Sequence, residues 1–129
     1  MQQICDDLVA EHDALDALVD GLTEEQWDTP TPAPGWSVRD QVCHLWFFDV
    51  RAWLALTDVD AFAADTRELL ASGGTEASVR HGREITGAEL LDTWRRDRAR
   101  LLEVARGVDP SSRVPWYGPA MGARSFLTA

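Results

Sequence analysis

Apolar residues near the start of the chain fall at Ile4, Leu8, Leu15, Leu18 and Leu22, in steps of three, four and seven. That spacing returns to one side of an α-helix and predicts an amphipathic helix over about 2–22. Glu11 occupies the place the seam skips between Leu8 and Leu15, so it is expected to face the core or its edge. His12, beside it, falls at the boundary of the apolar face. Gly21 and the run TEEQWDTPTPAPGW then stop the helix.

Within that run Pro30, Pro32 and Pro34 lack amide donors and push the residue before each away from helical conformation. Ser37 follows as an N-cap, with Asp40 three residues on as its capping-box partner, which places the start of a second helix at Val38. Trp36 sits where an apolar residue staples onto the first turn. From 38 to about 56 there are two apolar faces. One holds Val38, Val42, Leu45, Trp46, Trp53 and Leu56, and the other Cys43, Phe47, Val50 and Leu54. A helix apolar on most sides is a central, buried element. Asp40, His44 and Arg51 share one narrow polar strip, while Asp49 lies inside the first apolar face and needs a partner there.

TDVDAFAADTRELLAS predicts a third, shorter helix over about 59–72, capped by Thr57 or Asp58. GGTEASVRHGREI reads as a polar loop, with His81 in solvent. A fourth helix over about 87–106 opens on the capping box of Thr86 and Glu89 and carries Leu90, Trp94, Leu101 and Ala105 on one side. Gly107 and Pro110 end it, and a loop rich in proline and glycine leads to the start of a further helix near Ser125. No period-two strand of convincing length and no internal repeat interrupts this pattern. It predicts one all-α domain over 1–129, an up-and-down four-helix bundle with the last helix largely missing. The face of Cys43, Phe47, Val50 and Leu54 is then expected to lack partners in the monomer. A homodimer, or the tail folded back through Trp116, Tyr117 and Phe126, would cover it.

Composition narrows the function. The 129 residues carry a net charge of −10, and all 12 basic residues are arginine. Such a chain is repelled by phosphate backbones and anionic bilayers, so neither nucleic acid nor membrane is expected as a partner. The arginines of WRRDRARLLEVAR are interleaved with acids and read as an ion-paired, solvated face. No apolar run is long enough to cross a bilayer, and MQQICDDLVAEHD lacks the form of a signal peptide, which points to the cytoplasm. Cys5 and Cys43 fall within helices, outside any CxxC or zinc spacing, and are expected to be buried free thiols.

Candidate chemistry is sparse. The sequence has no serine–histidine–aspartate spacing, no phosphate-cradling glycine loop and no HExxH. His44 is either a satisfied helix histidine or a metal ligand. Glu11 and Asp49, on neighbouring helices, either converge with it or pair with an arginine such as Arg98. Trp116 and Tyr117, in a loop between prolines, are core residues or pocket walls.

TPAPGWSVRDQVCHL followed by WFFD resembles the signature of the mycothiol-dependent maleylpyruvate isomerase N-terminal domain, within the DinB-like four-helix-bundle superfamily. The match lies at Trp36, Ser37, Asp40, His44 and Leu45, and RVPWYGPAMGARSFLTA resembles the segment leading into the family's last helix. The resemblance implies a divalent-metal site, with zinc or nickel as the metal and His44 as one ligand. The family's other ligands, a glutamate and a histidine about a turn apart, belong to the last helix, which is expected to begin near Ser125. The resemblance therefore implies a C-terminally truncated chain with an incomplete ligand set, compatible with an apo state. It also implies a small-molecule thiol, mycothiol, as cofactor and an electrophilic substrate. The metal would convert the thiol to a nucleophilic thiolate for isomerisation or S-transfer. The alternative from the residues alone is a non-catalytic helical binding or dimerisation module.

Overall fold

The computed structural model describes residues 1–129. It is an all-α helical bundle. Its helices are α1 (Gln2–Val19), α2 (Glu24–Trp27), α3 (Val38–Thr57), α4 (Val59–Ala71), α5 (Gly87–Arg106) and α6 (Ala123–Thr128). Two 3₁₀ segments, Gly74–Val79 and His81–Arg83, join α4 to α5. Between α5 and α6 a short antiparallel ladder pairs β1 (Arg113–Val114) with β2 (Met121–Gly122). Helices α3 and α5 form the central pair, α1 packs on α5 and α6, and α4 packs on α3.

The caps act where the sequence places them. Ser37 Oγ accepts the amide of Asp40 (3.3 Å) and the Asp40 carboxylate accepts the amide of Ser37 (3.0 Å), fixing the start of α3. Thr86 and Glu89 do the same for α5, and Asp58 caps α4 through the amide of Ala61. Helix α1 ends at Val19, three residues before the expected end, and Thr23 and Gln26 form another capping box that starts α2. That single turn buries Trp27 in a cluster with Val19, Val42, Cys43, Leu90, Leu91 and Trp94. Gly87, at the first turn of α5, lies against the Trp27 indole with no room for a Cβ. Gly87→Ala is expected to cost about 1–3 kcal/mol in urea unfolding despite alanine's better helix propensity, because a buried ring must move. An unchanged midpoint would show that the contact is slack.

Two expectations are corrected. The segment 74–83 is not a loose polar loop: Ser78, Val79 and Gly82 are buried against α3. The Cys43 thiol donates to the Ser78 carbonyl and accepts the Gly82 amide, both at 3.2 Å, and a Cβ on Gly82 would meet the Cys43 Cβ at 2.7 Å. The face of Cys43 and Phe47 is consequently covered, with the Arg51 guanidinium lying on the Phe47 ring. The side of α3 short of partners is that of Leu45, which is 42% exposed. The arginines of α5 are ion-paired, as the interleaved acids predict, and several of the pairs reach another helix. Arg95 and Arg98 both reach Asp16 (2.7 and 2.8 Å), and Arg106 reaches Asp6 (3.1 Å), tying α5 to α1. No helix is long and apolar enough to cross a membrane.

Candidate functional site

The polar strip of α3 is where its neighbours attach. Asp40 binds Arg83 (2.9 Å), His44 meets Ser78 Oγ through Nδ1 (2.8 Å), and Arg51 binds Asp65 of α4 (3.0 Å). His44 is half-buried between the rings of Trp36 (5.1 Å between centroids) and Phe48 (4.8 Å), and burial lowers its pKa. Nδ1 is occupied by Ser78, so Nε2 is the nitrogen left available. His44 lines a cavity of about 270 Å³ with Phe48, Asp49, Trp116, Phe126 and Leu127.

A larger cavity, about 530 Å³, adjoins it between α1 and α3. The two share Leu8, Leu45, Asp49, Leu127 and Ala129, so they form one cleft with Asp49 at the junction. The larger part is walled by Leu15 and Trp94 and has Asp7, Glu11 and His12 among its polar residues.

Asp49 is largely but not fully buried, its side chain 20% exposed, in line with its phase on α3, and it has no arginine bonded to it. The Trp94 indole N–H donates to it at 3.0 Å and His12 Nε2 lies 3.5 Å away. Burial pushes its carboxyl up to about 6, against the Trp94 hydrogen bond and the field of Arg98. Arg98 itself bonds Asp16 and lies over the Trp94 ring. Glu11 is exposed, contrary to expectation, and His12 takes the inward position. Burial and the nearby Arg98 lower the His12 pKa to about 4, which keeps it neutral, and its Nδ1 has no hydrogen-bond partner. His81 is exposed, against the Trp46 ring. Both cysteines are free and buried, and burial raises the Cys43 pKa, which marks it as structural rather than nucleophilic.

Sequence reasoning missed Ser78 and His12. Ser78 carried no local signal. His12 did, since it stands four residues after Leu8 and three before Leu15, as good a helical step as the one assigned to Glu11. Trp116 lines the smaller cavity, while Tyr117 packs on Phe48 and Phe62 outside it.

The family model of the mycothiol maleylpyruvate isomerase N-terminal domain matches residues 8–129. The chain belongs to that family. Two relatives, both called uncharacterized proteins, from two strains of Mycobacterium tuberculosis, are 40% identical over 125 residues. The match covers 95% of this chain and 49% of each relative, so the chain spans about half the length of the curated relatives it matches. No solved structure matches it significantly. Within the family fold, His44 and Asp49 face the same cleft, but no three histidine, cysteine, aspartate or glutamate side chains gather closely enough to hold a metal ion.

Proposed function

We propose that this domain is the metal-binding part of a thiol-dependent isomerase or S-transferase of the mycothiol type, with His44 as one metal ligand. The observation that carries this is the position of His44: on the central helix, with Nδ1 engaged by Ser78 and its ring lining the α1–α3 cleft. The donor chemistry suits zinc or nickel, which take neutral imidazole readily. No three possible ligands gather in these 129 residues, so His44 is given one coordination position and the others are assigned to groups outside them. A bound divalent ion with an open position would favour the thiolate form of a small-molecule thiol.

The chain's own residues supply the setting. Trp36 and Phe48 restrict the imidazole, and Leu8, Leu45, Trp116 and Phe126 make the walls around it apolar. Asp7, Glu11 and Asp49 give the cleft an acidic side. An electrophilic substrate is expected to place its apolar part against those walls.

Metal analysis and zinc or nickel titration on the full-length protein test the reading. Stoichiometric metal is expected, with affinity falling by at least about a hundredfold in His44→Gln, since even supporting residues around a metal are worth ten- to a hundredfold. Wild-type protein that takes up neither metal would overturn the proposal and leave a helical binding module instead.

A further inference from the structure

We propose that Ser78 is a positioning residue for His44: it accepts a hydrogen bond from Nδ1–H and so holds the imidazole in the tautomer with a bare Nε2. The value of that lone pair as a ligand rests on the metal reading above, but the tautomer itself does not.

The argument is one of hydrogen counting. Ser78 Oγ lies 2.5 Å from the Thr75 carbonyl oxygen and 2.8 Å from His44 Nδ1. A carbonyl oxygen has no hydrogen to give, so a contact that short requires the single Ser78 hydroxyl hydrogen to lie between the two oxygens. Towards His44 the hydroxyl is then left only with lone pairs. Nδ1 must carry the hydrogen, and a neutral imidazole with hydrogen on Nδ1 has none on Nε2.

The surroundings keep this arrangement from relaxing. Ser78 is fully buried. Its own carbonyl holds the Cys43 thiol, and that sulfur holds the Gly82 amide, so the 3₁₀ segment is fastened to α3 one residue away from His44. Trp36 and Phe48 flank the ring and oppose the flip that would exchange its nitrogens. The hydroxyl does for His44 what a carbonyl or carboxylate does for many metal-bound histidines, which is to fix the tautomer through the nitrogen that does not coordinate.

Nitrogen-15 NMR of histidine-labelled protein at about pH 8, where histidine side chains are neutral, reads the tautomer directly. The chain has three histidines, so His44→Gln and His81→Gln assign the spectrum. Wild-type His44 is expected as the Nδ1–H form. Ser78→Ala is expected to shift it towards Nε2–H and to weaken zinc or nickel binding by about ten- to a hundredfold. Wild-type His44 in the Nε2–H form overturns the inference and needs no variant, so it stands even if Ser78→Ala misfolds. A folded Ser78→Ala with an unchanged tautomer overturns it as well. Protein that shows the expected tautomer shift but binds no metal supports the role of Ser78 and sinks only the metal reading.

Discussion

Trp94→Ala is expected to cost about 3–5 kcal/mol, the range for a large aromatic removed from a close-packed interior. Trp94 is 1% exposed and packs among Val42, Leu90, Leu91 and Trp27. His12 meets its ring edge-on at 5.8 Å, and the Arg98 guanidinium covers it at 4.3 Å. Its indole N–H is also the hydrogen bond that reaches the Asp49 carboxylate. Alanine therefore opens a void and strips a largely buried acid of its donor at once. Trp94→Phe weights the second effect, because it keeps much of the volume while it loses the N–H. Its expected cost is about 1–3 kcal/mol, the penalty for a buried acceptor left unsatisfied. Urea unfolding followed by circular dichroism measures both. Since a domain of this size has about 5–15 kcal/mol in hand, Trp94→Ala should leave the fold marginal. A loss below about 1 kcal/mol would mean the α1–α3–α5 junction is far looser than its geometry.

The His12–Asp49 pair should hide a pH dependence that each single variant reveals. In the fold, Asp49 is raised from 3.8 to about 6 and His12 is lowered from 6.5 to about 4. Between those values the folded pair holds one proton, on Asp49, and the unfolded pair also holds one, on His12. Equal proton counts make the pair's contribution to stability flat with pH. In Asp49→Asn only His12 remains. Its folded pKa is depressed, so its contribution is present above about pH 6.5 and is lost as pH falls through about 4. In His12→Gln only Asp49 remains. Its folded pKa is raised, so its contribution is present below about pH 4 and is lost as pH rises through about 6. After allowance for partial solvent access, each swing is on the order of 2 kcal/mol relative to wild type. Asp16, held down to about 2 first by its hydrogen bond from Arg95, titrates below this window and does not confuse it. Urea midpoints at about pH 4.5 and about pH 6.5 should shift in opposite directions in the two variants. Parallel shifts would show that the two groups are not buried as a pair.

How much of this was legible in the sequence depended on the range of the forces involved. The starts of α3, α4 and α5 were readable because a cap is a contact between residues three apart, as at Ser37 with Asp40. The inward side of α5 was readable because Leu90, Trp94, Leu101 and Ala105 have no competing phase, and all four are buried. Family membership was readable from Trp36 to Leu45, the stretch in which prolines, cap and His44 occur together.

What the sequence left open was settled by contacts between distant residues. Leu8 and Leu15 allow either Glu11 or His12 at the step between them. Only the packing of α1 on α5 and α6 turned His12 towards Asp49 and left Glu11 in water. The partners of the α3 polar strip lie 14 to 43 residues away, and nothing local in GGTEASVRHGREI marks Ser78 as the group that meets His44. Its burial follows from the close approach of Gly82 to Cys43, which places the 3₁₀ segment on the face expected to be bare. The sequence by itself determined where α3, α4 and α5 begin and which histidine is the candidate for chemistry. The tertiary structure decided which nitrogen of that histidine is free and which carboxylate shares its cleft, because both follow from hydrogen bonds and burial between elements that meet only when the chain is folded.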